Sequence, residues 1–178
     1  MEEWARELLE FWFALDPQSW WKADPAFDEA VRKRYRALWE EQRQRPVADF
    51  TGSAEEALAA IILFDQVPRN MFRGHADSFA TDHVALAVAR AAVDLGYDRA
   101  FRQPHRGFFY MPFQHSEGLD DQERSLTLFT ALGDDYQLRY ARLHHDVVAR
   151  FGRFPHRNAI LGRTPRPDEI AAGDVVPW

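Results

Sequence analysis

No stretch of this chain alternates apolar and polar residues for long enough to make a strand, whereas helical spacing recurs along its whole length, punctuated by proline, glycine and capping residues. That pattern predicts an all-α fold of about seven helices, with short connections that favour antiparallel helix pairs. Trp4, Leu8, Leu9, Phe11, Trp12 and Phe13 mark a first helix over 2–14, stopped by Asp16-Pro17. Asp24-Pro25 is an N-cap followed by a proline at the first helical position, and it starts a second helix running to about Gln44. Ser53-Ala54-Glu55-Glu56 reads as a capping box opening a third helix. That helix is apolar nearly all round through Phe64, so it should be surrounded by others, and Pro68 limits it. A fourth helix is expected from Asp77 to Leu95, ended by Gly96, followed by a less periodic stretch over 99–118 with one short helix. The fifth runs from Leu119 to Leu132 and the sixth from Asp135 to Phe151, each ended by glycine. A last short helix begins near Asp168-Glu169, before the tail Val175-Val176-Pro177-Trp178.

A length of 178 residues fits one domain spanning 1–178. The net charge of −6, spread along the chain, argues against a nucleic-acid partner, which calls for a basic stripe. There is no cysteine, so disulfides and thiolate metal ligation are impossible. The acidic, amphipathic start Met1-Glu2-Glu3-Trp4 does not read as a signal peptide, and the apolar run Leu58–Phe64 is far short of the ~20 residues that span a bilayer. A cytoplasmic protein without a membrane partner is expected.

Polar residues on apolar helix faces are the next signal. At 100° per residue, Asp65 shares a face with Leu58 and Ile61, close to the expected C-terminus of its helix, where the macrodipole disfavours negative charge. An arginine partner, Arg69 or Arg73, is the simplest resolution. Gln122 lies in line with Leu119, Leu126 and Phe129. On the sixth helix Tyr136, Tyr140, Leu143, Val147 and Phe151 form the predicted stripe, with His144 at one edge, Arg150 at the other and His145 pointing away. Three inward polar groups suggest a shared pocket, although each alone is more often a satisfied core hydrogen bond.

Two loops repeat one chemistry. Pro68-Arg69-Asn70-Met71-Phe72-Arg73-Gly74 and Pro155-His156-Arg157-Asn158-Ala159-Ile160-Leu161-Gly162 each place Arg-Asn after proline, with a glycine beyond. Such turns either fix the backbone or offer forked guanidinium donors to a carboxylate or phosphate. His115-Ser116-Glu117 adds an acid/base pair, with Ser116 or Ser125 as weak nucleophiles. Neither a Gly-x-Ser-x-Gly elbow nor a Gly-rich phosphate loop is present.

Phe11-Trp12-Phe13, the block Asp65–Gly74, the block Tyr110–Glu117 and Arg150-Phe151-Gly152-Arg153-Phe154-Pro155-His156-Arg157-Asn158 together resemble a bacterial family of unknown function, DUF924. The resemblance implies an all-helical fold similar to tetratricopeptide repeats, with no established activity, cofactor or substrate. It carries over Asp65, Gln66, Arg69, Asn70, Arg73, His115, Glu117, Gln122, His144, Arg153, His156, Arg157 and Asn158 as pattern positions, with His144 rather than His145 as the matching histidine. Two departures are Val67, where the family usually has phenylalanine, and an extra proline step in Thr164–Glu169.

Three functions compete. In the first, a small anionic ligand, carboxylate or phosphate, is held by Arg69, Arg153 and Arg157 with Asp65, Asn70, Arg73, Gln122, His156 and Asn158, and His144 or His115 with Glu117 moves a proton if a reaction occurs. In the second, the chain is a tetratricopeptide-like module for a protein partner and its polar turns are structural; the absence of a detectable repeat of about 34 residues weakens it. The third is a metal-dependent phosphohydrolase using His145-Asp146 with His115 and Asp168 or Asp174. The first requires no cofactor and no metal.

Overall fold

The computed structural model describes residues 1–176; Pro177 and Trp178, the end of the expected tail, lie outside the described residues. The chain forms two compact units, Met1–Phe109 and a second beginning at Tyr110. Both are helical, and no strand occurs among the described residues.

The first unit contains α1 (Glu3–Phe13), α2 (Pro25–Gln42), α3 (Ala54–Ile61), α4 (Val67–Met71), α5 (Asp82–Asp94) and α6 (His105–Phe108), with single 3-10 turns between several of them. Asp24 caps α2 as expected, accepting from the Ala26 and Phe27 N–H groups. Only half of the predicted capping box forms at α3: Ser53 accepts from the Glu56 N–H, while the Glu56 carboxylate accepts from the Glu2 N–H at 2.9 Å and so ties the start of α1 to α3. The all-round apolar character of α3 is explained by its neighbours. It packs on both α1 and α5, and every residue from Ala57 to Phe64 is buried.

Pro68 does not end this helix. The backbone passes from α3 through a π-helical turn, Ile62–Gln66, directly into α4, with the Val67 N–H donating to the Ile62 carbonyl five residues back. A proline inside an α-helix removes one N–H and crowds the carbonyl four residues earlier, and the wider turn makes room for it. The carbonyl that Pro68 cannot serve is that of Phe64. The Thr81 hydroxyl donates to it at 2.7 Å and in turn accepts from Trp39 Nε1 at 3.0 Å. The next carbonyl, of Asp65, accepts from the Arg69 guanidinium. Thr81 thus supplies from the start of α5 what the helix lacks. Thr81→Val keeps the shape but strips partners from two buried groups, each worth about 1–3 kcal/mol. We expect a loss of about 2 kcal/mol in urea unfolding, with Thr81→Ser close to the parent; a valine variant as stable as the parent would show that the Phe64 carbonyl is served in another way.

The second unit contains α7 (Met111–His115), α8 (Leu119–Leu132), α9 (Asp135–Phe151) and α10 (Pro167–Ala172), with a 3-10 turn over Pro155–Arg157. Gly133, at φ 75°, ends α8, and Asp134 caps α9 by accepting from the Gln137 N–H. This short connection folds α8 and α9 into the expected antiparallel pair. Val147, Val148, Phe151 and Phe154 form a core against which Ala172 and Val175 pack.

The buried stripe of α9 is rotated from the predicted one. Leu138, Ala141, His144, Val147, Val148 and Phe151 face inward, whereas Tyr136 and Leu143 are exposed. His144 therefore sits within the buried face rather than at its edge. The two tyrosines misled the pattern: Tyr136 packs on Tyr140 at 5.0 Å on the helix surface instead of entering a core.

Candidate functional site

In the first unit, three of the expected ligand-binding residues meet carboxylates, and the fourth, Asp65, is one of those carboxylates. Asp65 is fully buried, but it lies inside a continuous helix rather than at a terminus, so the expected clash with the macrodipole does not arise. Its partner is Arg69, one of the two arginines expected, at 3.3 Å, and the Gln66 amide donates to its other oxygen. Arg69 also grips Asp82 of α5 with two hydrogen bonds of 2.8 and 3.0 Å. Burial alone would lower the Arg69 pKa; the charges of Asp65 and Asp82 and the Asp82 hydrogen bond more than offset it, and the pKa is raised. Arg73 grips Asp28 of α2 in the same way, at 2.6 and 3.0 Å, and Asn70 donates to Asp28 at 2.9 Å. Burial pulls the Asp28 carboxyl up, but the Arg73 and Asn70 bonds and the Arg73 charge win and hold it below the usual range. The first Arg-Asn turn thus ties α4 to α2 and α5.

In the second unit, Phe154 is the hub. Its ring is fully buried and lies 5.6 Å from the His144 ring, edge to face, and 5.6 Å from the His156 ring. The Arg157 guanidinium stands over its face at 4.5 Å, and His115 lies 6.1 Å from His144. Two imidazoles and one guanidinium therefore pack on a single phenylalanine, and a third imidazole, His115, packs on His144. The Phe154 backbone is pinned as well. The Phe154 N–H donates to Glu117 at 2.8 Å, and Arg163 donates to the Phe154 carbonyl at 2.9 Å while forking onto Glu117 at 2.7 and 3.0 Å. Beside His156 opens a cavity of about 550 Å³, walled by Pro155, Asn158, Ile170, Val175 and Val176 among others.

Electrostatics assign the protonation states. Burial, then the charges of His115 and Arg157, outweigh the hydrogen bond to the Tyr140 carbonyl and hold the His144 pKa down to about 3. Burial and the Arg157 charge bring His156 down to about 4. Both rings are neutral at neutral pH. Burial would raise the Glu117 carboxyl, but hydrogen bonds from Arg163 and the Phe154 N–H, with the Arg163 and Arg157 charges, hold it below the usual range. A carboxylate so held is a poor proton donor at neutral pH.

The other expected residues are placed as follows. Arg153 forks onto the buried Glu169 of α10 at 2.6 and 2.8 Å, and Asn158 donates to the same carboxylate at 2.9 Å. Gln122 is fully buried and its amide donates to the carbonyls of Gln114 at 2.7 Å and Ser116 at 2.6 Å, closing the C-terminal end of α7. Ser116 donates to Asp121 at 2.7 Å, and Ser125 is buried on α8. His145 is half-buried rather than turned fully outward, and pairs with its neighbour Asp146 at 3.2 Å. Among the described residues, no group of three or more His, Asp or Glu side chains is placed to hold a metal ion.

Sequence reasoning missed Asp28, Asp82, Glu169 and Arg163, the partners that occupy the named residues. Asp28 had a signal, since it stands three and seven residues before the inward Val31 and Tyr35. Arg163, in an irregular turn, had none. Among curated proteins, none matches this chain. A solved structure of a protein of unknown function from Agrobacterium tumefaciens is similar to it, with 39% identity and a TM-score of 0.88 over 94% of this chain and 95% of the other. A family model described as a bacterial protein of unknown function matches residues 8–172. By that match the chain belongs to the DUF924 family.

Proposed function

We propose that the second unit binds a small anion, a carboxylate or phosphate, at the cluster around Phe154. Arg157 supplies the charge, His115, His144 and His156 supply the polar wall, and His144 or His115 carries a proton if the bound molecule reacts. The observation that carries this reading is the gathering of two imidazoles and a buried guanidinium on one ring, with a third imidazole on His144, beside a cavity whose volume falls in the range of small-molecule sites. The Arg157 charge acts on the neutral His144 and His156 rings, and the planar fork of a guanidinium suits a carboxylate or phosphate. Glu117, Arg153 and Asn158 belong to this reading as the frame that holds the Phe154 turn and α10 in place.

Melting of the full chain with and without phosphate or citrate tests it. At a ligand concentration one hundred times Kd, the parent should gain about 2.7 kcal/mol. Arg157→Ala should abolish that gain and His144→Ala reduce it, whereas Arg73→Met, whose guanidinium is held by Asp28, should lower Tm and keep the gain. No shift in the parent with either anion would end the proposal.

A further inference from the structure

The outward side of α9, turned away from the buried His144, carries a charge pattern that the packing of the chain leaves unused. The helix packs on α8 and α7 through its inward side. At 100° per residue, the exposed Asp135, Arg139, Arg142, Leu143, Asp146 and Arg150 fall within an arc of about 100° on the other side. Tyr136, 60% exposed, flanks that arc. Asp135 with Arg139, and Asp146 with Arg150, have the spacing of intrahelical ion pairs. Yet among the described residues Asp135, Arg139 and Arg150 form no ion pair within the chain; Arg150 lies over the Phe151 ring, and Asp146 meets only its neighbour His145.

Read backwards, the outer charges repeat with opposite sign. A second copy of α9, turned antiparallel about a two-fold axis between Arg142 and Leu143, sets Asp135 opposite Arg150 and Arg139 opposite Asp146. Each contact then occurs twice. Both copies of Leu143 come beside the axis, and Tyr136 comes opposite the small, exposed Ala149. A slip of one helical turn in one direction faces Asp135 with Asp146, and in the other it faces Arg139 with Arg150. Parallel pairing in register faces each charge with itself. The pattern therefore rewards one orientation and penalises its near neighbours.

We infer that this face of α9 is a docking surface for a second copy of the chain, with the two helices antiparallel. α9 is 17 residues long, about 25 Å at the rise of an α-helix. A contact of that length lies at the small end of specific interfaces, so the dimer is a weak one. Its partners are oriented by exposed charges, and salt loosens it.

Sedimentation velocity of the full chain at low ionic strength, from about 5 to about 500 μM, tests this. The parent should pass from monomer toward dimer across that range, and about 0.5 M salt should shift it back. Arg139→Asp sets like charges opposite Asp146 on both sides of the axis and should raise the dimer Kd tenfold or more. Asp146→Arg should do the same. An equimolar mixture of these two variants restores opposite charges at both contacts and should recover association, as should the double variant. Circular dichroism confirms that each variant is helical. A parent that stays monomeric at the highest concentration overturns the dimer. A parent dimer that neither variant weakens places the contact on another face and overturns the assignment to α9. Variants that dissociate without recovery in the mixture overturn the antiparallel register.

Discussion

Arg69→Met is expected to lower the free energy of unfolding by about 3–5 kcal/mol, a large share of the stability of an ordinary domain. The fully buried Asp65 and the partly buried Asp82 both pair with this guanidinium, which also serves the Asp65 carbonyl beside the π-helical turn. Methionine keeps much of the volume and removes the charge, so the variant takes this cation from a buried carboxylate in a segment packed by Ile61, Phe64 and Val67. Asp65→Asn in the same chain should recover part of the loss, because it removes the charge that lost its cation. Urea unfolding followed by tryptophan fluorescence is a suitable readout, since Trp4, Trp12, Trp20, Trp21 and Trp39 all lie in the first unit. A loss below about 1 kcal/mol, the scale of an exposed ion pair, would mean that water reaches Asp65 once Arg69 is gone.

Helix type and order were legible because caps and breakers are local. Asp24-Pro25, Gly96, Gly133 and Gly152 act within one turn of where they stand. What misled was tertiary compensation. Pro68 reads as a stop, and becomes tolerable only because Thr81, thirteen residues away, supplies a hydroxyl to the Phe64 carbonyl. The inward Asp65, Gln122 and His144 were legible from helical spacing, but not their partners: spacing shows which side a residue faces, not what waits there. The two Arg-Asn turns illustrate this best. Alike in sequence, they lead to different environments, since Arg69 is held by Asp65 and Asp82 while Arg157 stands over an aromatic ring amid histidines. One is read most simply as an ion-pair tie and the other as the centre of the proposed site.

The protein should lose stability as the pH falls from about 6.5 toward 4, before most carboxylates titrate. His144 and His156 have folded-state pKa values of about 3 and about 4, against 6.5 for an ordinary imidazole. Above pH 6.5 both states leave these rings neutral and folding stability is indifferent to pH on their account. Below it the unfolded chain takes up protons that the folded chain refuses, so stability is lost as the pH falls and the loss levels off near the folded values. The groups that oppose protonation of His144 come from several segments: His115 at the end of α7, and His156 and Arg157 after α9, against the Tyr140 carbonyl, which favours it. His144 alone should contribute on the order of 3 kcal/mol by pH 4; His156, only half-buried, adds less because solvent screens it. Glu117, Asp28 and Glu169, all held below the usual carboxylate range, add their own losses only at lower pH still. His144→Phe removes the dominant titrating ring and should flatten the profile between pH 6.5 and 5, while leaving the acid limb below it. A parent whose unfolding midpoint in urea is level across that interval would mean that His144 protonates freely in the folded state, and that the Phe154 cluster is wetter than its burial implies.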